Sequence, residues 1–240
     1  MNPETTTTLA IVAFAALIHA SFQLSVSVLT LLSGHAIGAR RSYSRLMRLT
    51  TSYLIGAGVM TILLLSGIAL VFRVISPMID SVLLWTIGTG VLASVGVAVW
   101  LFYYRKADKG TSLWVPRSFA SFLSDRSKAT KRSVEAFSLG LSGVIGELLF
   151  VCAPLSISAL ALSQVEPSIQ LFGVGIYGLI SLLSLVFVWV LVGSGHRLSR
   201  IQMWREENKH FLQFAAASGL IVLGFFVYVN EVLVQTAGVV

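Results

Sequence analysis

The carboxylate of Glu147 is the side chain of this sequence whose type and position most directly suggest chemistry. It stands in the apolar stretch Ser138–Leu162, and no other Asp or Glu lies at the centre of an apolar segment. An ionisable group at the centre of a bilayer costs a few kcal/mol, roughly 2.5–3.5 on insertion scales. Such a group normally faces a protein interior or a wet cavity, so Glu147 is the first candidate for a working site.

Three roles stay open for this carboxylate. It could carry a proton or a cation, it could be a structural partner of His19 or of a backbone group, or it could contact another subunit or a lipid. Pro154 follows about two turns later and interrupts the helical hydrogen bonds. A kink just past Glu147 would free carbonyl groups that could serve as ligands.

A second set of polar residues shares one face of the first apolar segment. These residues recur at spacings of four, four and three, and they are His19, Gln23, Ser27 and Thr30. The face could line a hydrophilic path, with His19 able to change its protonation near neutral pH. It could equally serve hydrogen bonding between helices. Since His19, Gln23 and Glu147 all lie near mid-span, the three could meet.

The elements that must position these residues are transmembrane helices. The chain has 240 residues, of which 56% are hydrophobic and 11% charged, and its mean hydropathy is +0.87. Soluble domains carry about 25% charged residues, so we expect an all-α integral membrane protein. Six apolar stretches reach the roughly 20 residues that a spanning helix needs; they are Leu9–Ser33, Thr50–Phe72, Val82–Tyr104, Ala136–Leu162, Ile169–Val192 and Phe211–Gln235.

The basic residues predict the orientation of these spans. All 17 Lys and Arg residues except Arg73 fall on alternate connectors, in the ranges Arg40–Arg48, Arg105–Arg132 and Arg197–Lys209. Basic connectors stay on the cytoplasmic side, so both termini are expected outside. The net charge of +7 therefore reflects orientation on an anionic membrane surface, and we expect no nucleic-acid partner.

The central basic connector divides the chain into two predicted halves. Residues 1–104 would form a first three-helix repeat, and residues 136–240 would form a second. Residues 105–135 between them would form a basic cytoplasmic linker, which contains either an interfacial helix or an ordered segment with some apolar contacts. Three spans per half would insert the halves with opposite orientation. Leu54–Ser66 resembles Leu171–Ser184, and Gly90–Trp100 resembles Gly219–Tyr228, so the pattern favours a 3+3 inverted repeat.

The chain resembles the lysine-exporter superfamily of small 3+3 membrane proteins. The resemblance lies in AFSLGL (Ala136–Leu141), which opens the second half after a basic linker, and in the glycine-containing third and sixth spans. The Pro-Gly-Pro turn of the exporters is absent, and the paired cysteines of the redox members are reduced to Cys152. The Glu-Leu-Gly-Asp-Lys-Thr box of the cation exporters is reduced to Gly146-Glu147-Leu148. His19-Ala20 lacks the ligands that follow it in nickel and cobalt exporters. The resemblance therefore implies the fold and transfers no substrate.

Two functions remain open from the sequence. The first is a small secondary transporter or exporter of the cytoplasmic membrane, coupled to protons through Glu147 and moving an unidentified solute or ion. The second is a membrane subunit or scaffold whose polar residues hold a partner protein or a lipid. Membrane lipids are expected partners, and a homodimer or a partner subunit stays open. We find no phosphate-binding loop, zinc-ligand spacing or catalytic triad, so we expect neither a cofactor nor an enzyme.

Overall fold

The computed structural model describes residues 3–21, 43–101, 122–123, 125–127, 129–194 and 207–237, and these residues form helices and short turns. Seven helices carry the fold in the described ranges: α1 (Pro3–Ser21), α2 (Tyr43–Ile75), α3 (Ser81–Val99), α4 (Ser133–Ser163), α5 (Pro167–Ser181), α6 (Leu183–Gly193) and α7 (Lys209–Val227). α7 continues through a π-helical turn, Tyr228–Leu233, into the short helix Val234–Thr236.

Between four and six of these elements could cross a membrane by length and composition. Four helical stretches qualify singly: Glu4–Ser21, Tyr43–Met78, Ser81–Val99 and Phe211–Thr236. Two bent pairs qualify when each is counted as one span. The two arms of α4, Ser133–Leu148 and Val151–Ser163, meet at 92°, and α5 and α6 meet at 48°. The predicted all-helical class is confirmed for the described residues.

Large apolar side chains cover the outside of the bundle. Leu179 is 75% exposed, Leu171 74%, Phe225 70% and Leu70 63%. A soluble protein rarely exposes a contiguous apolar surface of this kind, whereas the lipid-facing side of a membrane protein requires it. The surface therefore agrees with the sequence in favouring a membrane environment.

The helix starts are fixed by local hydrogen bonds and by proline. The Asp80 side chain accepts a 2.9 Å hydrogen bond from the Leu83 N–H at the start of α3. Pro167 opens α5, where its missing N–H costs nothing. α2 begins at Tyr43, one and a half to two turns before the predicted Thr50, because the helix continues past the apolar segment through Arg45 and Arg48.

The most extensive contacts join the two predicted halves. α2 packs along α4, α3 packs along α7, and α1 packs against α4, α5 and α7. The first crossing is made by glycines, since a Cβ on Gly56 would strike the Phe137 carbonyl oxygen and one on Gly140 would strike the Tyr53 carbonyl oxygen. Small residues of this kind let two backbones touch in a membrane.

Side-chain contacts show which described residues lie at each end of α2. Glu4 lies close enough to Glu231 for their charges to interact, and it lines a cavity with Glu166. Arg73 donates to Gln170 at 3.2 Å, which brings the end of α2 to the same region. At the other end Tyr43 donates to the Gly193 carbonyl at 2.6 Å.

Candidate functional site

His19 lies at the end of the described part of α1 and is 1% exposed. Its Nδ1 is 2.9 Å from the hydroxyl oxygen of Tyr177, which is also completely buried. A tyrosine hydroxyl both donates and accepts, so the pair can exist with either tautomer of the imidazole. A histidine in an apolar setting is thus provided with a specific polar partner on another helix.

The packing of α5 explains why Tyr177 reaches α1. Gly173 lies one turn before Tyr177 on the buried face of α5, and a Cβ there would strike the side chain of Leu162 and lie 3.6 Å from Leu9. The missing side chain lets α5 approach α1 and α4 closely. Tyr177 then extends across the gap to His19.

A second hydrogen bond holds the same end of α1. Ser184 Oγ donates to the Ala20 carbonyl oxygen at 2.5 Å. The two contacts lie on opposite sides of the break between α5 and α6, with Tyr177 before Leu182 and Ser184 after it. The C-terminal end of the described part of α1 is therefore attached to both arms of the bent pair, and a change in the 48° angle would move at least one attachment.

Glu147 lies immediately before the bend of α4 and is 1% exposed. Pro154 accounts for the position of the bend. Proline has no N–H for the carbonyl four residues earlier, and its ring clashes with that group, which here belongs to Phe150. The bend follows Glu147 directly, as the sequence predicts, and proline at position 154 cannot donate to the Phe150 carbonyl as a regular helix would.

The predicted site residues divide into two groups. His19, Glu147 and Pro154 are buried within the described residues, on two helices, α1 and α4, that pack against each other. Gln23, Ser27 and Thr30 lie outside the described residues. The hydrogen bond seen for His19 is to Tyr177, so a meeting of His19 and Gln23 with Glu147 stays a prediction.

Sequence reasoning did not single out several buried polar groups. Tyr177 is the clearest, because its sequence context allows it to face the interior without marking it as functional. In the described part of the chain the Trp85 indole nitrogen, the Ser158 hydroxyl and the Gln213 carbonyl oxygen are buried without a hydrogen-bond partner. Such groups are expensive in an apolar interior and are rarely retained without a reason.

The described cavities lie at the two ends of the bundle. One of about 590 Å³ lies beside Glu4 and Glu166, and one of about 480 Å³ lies between the linker and α4. Neither is lined by Glu147 or His19, each of which is 1% exposed. Within the described ranges no three His, Cys, Asp or Glu side chains cluster in a way that could hold a metal.

Comparison with protein-family models, curated protein sequences and solved structures finds no match to this chain.

Proposed function

We propose that this protein is a small secondary transporter of the cytoplasmic membrane, in which Glu147 carries a proton or a cation. The observation that carries the proposal is the place of that carboxylate, fully buried at a 92° bend of α4. Broken helices with an ionisable group at the break are a recurring way to build a transport site. The resemblance to the lysine-exporter superfamily is a fold-level argument for the same proposal.

The pattern of helix contacts supports an inverted repeat. In the proposed repeat α1 corresponds to α4, α2 corresponds to the α5–α6 pair, and α3 corresponds to α7. A contact of α2 with α4 should then be matched by a contact of α5 with α1. Likewise, a contact of α1 with α7 should be matched by a contact of α4 with α3. Each of these contacts is observed, as are the self-related contacts of α1 with α4, α2 with α5, and α3 with α7.

The register of α3 and α7 supports the same relation at the level of residues. Gly96 on α3 lies close to Leu220 and Ala217, which are four and seven positions before Gly224 on α7. In the same way, Gly224 lies close to Leu92 and Thr89, which are four and seven positions before Gly96.

The enclosure of Glu147 fits an occluded state of such a transporter. A transport cycle needs the carrier group to reach each side in turn, and the bends in α4 and in the α5–α6 pair supply places where helices can reorient. The attachment of α1 to both arms of the α5–α6 break would transmit such a movement to His19.

The second candidate is a membrane subunit that transports nothing. It is favoured by the enclosure of Glu147, whose side chain is 1% exposed. In that role the buried polar groups would hold helices together, and each contact would contribute about 0.6 kcal/mol.

Glu147→Gln separates the two functions, because it keeps shape and hydrogen bonding but removes titration. Purified protein would be placed in liposomes with a trapped pH-sensitive dye, and proton flux would be followed under an imposed gradient. A transporter loses its flux in this variant while its melting temperature stays close to that of the wild type. Glu231→Gln, in the half-buried outer part of α7's extension, is the matched control and should leave flux intact. Unchanged proton flux in Glu147→Gln relative to the wild type would favour the subunit.

A further inference from the structure

A groove at the basic end of the bundle lies between the end of the linker and the first turns of α4. Its cavity is about 480 Å³, and its walls include Phe122, Arg126, Thr130, Val134 and Glu135. We refer to it as the linker groove. It lies outside the proposed transport site, and its interpretation requires that the chain spans a membrane and that α4 enters the membrane after Glu135.

The residues beside Phe122 and Arg126 are buried. Leu123 is 2% exposed and Ser127 is 1% exposed, so the described helical residues 122–123 and 125–127 bury one side. The opposite side presents Phe122 and Arg126 to the groove. Thr130 donates to the Arg126 carbonyl at 2.6 Å, which extends the ordered wall toward α4.

The linker groove combines an apolar floor with a cation. Phe122 is 46% exposed and Val134 is 75% exposed, a large apolar surface for a region of chain so rich in charge. The Arg126 guanidinium carbon lies 5.5 Å above the centre of the Phe122 ring. Stacking of this kind uses the face of the guanidinium and leaves its edge, with a fork of N–H groups, directed away from the ring. That fork matches the geometry of a phosphate.

The one carboxylate in the wall is occupied locally. Glu135 accepts hydrogen bonds from the backbone N–H groups of Lys131, at 2.7 Å, and Arg132, at 3.1 Å. The Glu135 carboxylate therefore caps the N-terminus of α4, and it forms no ion pair with Arg126 in the described contacts. Among the neighbouring described residues three cations, Arg126, Lys131 and Arg132, outnumber the two carboxylates of Asp125 and Glu135, so the surroundings of the linker groove carry a net positive charge.

The position of the linker groove identifies the occupant. α4 enters the predicted apolar span directly after Glu135, so the groove lies at the depth of lipid headgroups, with apolar surface continuing along α4. We propose that the linker groove binds one anionic phospholipid, with its phosphate at Arg126 and an acyl chain along Phe122 and Val134. The basic residues of the surrounding linker attract the anionic lipids of that leaflet.

Lipid binding to the purified full chain would test the proposal. Native mass spectrometry in detergent would be used to titrate phosphatidylglycerol, phosphatidylcholine and inorganic phosphate. We expect phosphatidylglycerol to bind in preference to phosphatidylcholine, and inorganic phosphate at millimolar concentration not to displace it. Arg126→Gln should weaken phosphatidylglycerol binding about fivefold, the effect of one basic residue at a membrane surface.

Two further variants separate the linker groove from general charge. Arg73→Gln removes a cation at the opposite end of the bundle and should leave the affinity unchanged. Val134→Ser removes exposed apolar surface without touching the core, and it should weaken binding of the diacyl lipid. Equal affinity for the two lipids, equal losses in Arg126→Gln and Arg73→Gln, no loss in Val134→Ser, or displacement by inorganic phosphate would each overturn the proposal.

Discussion

The two helix crossings that contain glycines differ in how much space they leave for an added side chain. Where α2 crosses α4, Gly56 and Gly140 each face a backbone carbonyl of the other helix, and neither leaves room for a methyl group. Where α3 crosses α7, a Cβ on Gly96 would lie 2.8 Å from an atom of Ile221, whereas one on Gly224 would have no neighbour closer than 3.4 Å. At the first crossing neither glycine has room for a methyl group. At the second crossing only Gly96 lacks that room.

This difference indicates which helices can shift. Backbone in direct contact cannot slide or rotate without a clash, so α2 and the first arm of α4 form a rigid pair. The contact of α3 with α7 is bounded partly by side chains, which can change rotamer. If the protein alternates between states, we expect the rigid pair to move as one body and the α3–α7 contact to adjust.

The largest effect is expected for Gly140→Ala. The added methyl group would overlap the Tyr53 carbonyl, so α2 and α4 must separate along their most extensive contact. We expect a loss of about 3 kcal/mol of stability, the upper range for overpacking, measured as a fall in melting temperature in detergent.

Gly67→Ala is the control for this substitution. Gly67 lies on α2, and a Cβ added there would have no atom within 4 Å, so the change should be neutral or slightly stabilising. Equal melting temperatures for Gly140→Ala and Gly67→Ala would show that the α2–α4 crossing is not closed.

An intermediate effect is expected for Gly96→Ala, and a smaller one for Gly224→Ala. The first Cβ would lie 3.0 Å from the Ala217 carbonyl oxygen, and the second 3.5 Å from the Thr89 carbonyl oxygen. We expect about 1–2 kcal/mol for Gly96→Ala and less than about 1 kcal/mol for Gly224→Ala. The two melting temperatures measured side by side check the order, and the reverse order would contradict the proposed asymmetry.

The smallest effect is expected for Tyr177→Phe, which probes a polar contact between helices. The substitution keeps the ring and removes only the hydroxyl that contacts His19. Hydrogen bonds between membrane helices average about 0.6 kcal/mol, so the fall in melting temperature should be small. A loss as large as that of Gly140→Ala would mean that the His19–Tyr177 pair, and not glycine packing, dominates the stability of the bundle.

The sequence is informative where a single residue type has one strong physical effect. Pro154 predicts the break in α4 because no other residue lacks the N–H, and Glu147 predicts its own burial because exposure to lipid is costly. Hydropathy locates the six apolar segments, but it misplaces the start of α2 because a helix can continue into water through arginines. Glycines are visible in the sequence, yet the carbonyls that they face depend on how helices pack.

Other features leave no trace in the sequence. The break between α5 and α6 occurs at Leu182, where neither proline nor glycine marks it. The partner of His19 lies 158 residues away, on a helix whose hydrophobic residues cover all sides. Contacts of this kind follow from packing over long sequence separations, so periodicity carries no information about them.

The interleaving of the two halves has a consequence for biosynthesis. α1 rests on α4, α5 and α7, and α2 rests on α4, so the first helices to leave the ribosome have their main neighbours still untranslated. The early helices must therefore stay in the bilayer without their final neighbours. Until α4, α5 and α7 are inserted, lipid or the insertion machinery covers the faces of α1 and α2 that later pack against them. Since α7 completes the contacts of both α1 and α3, assembly of the whole bundle ends only when the last span arrives.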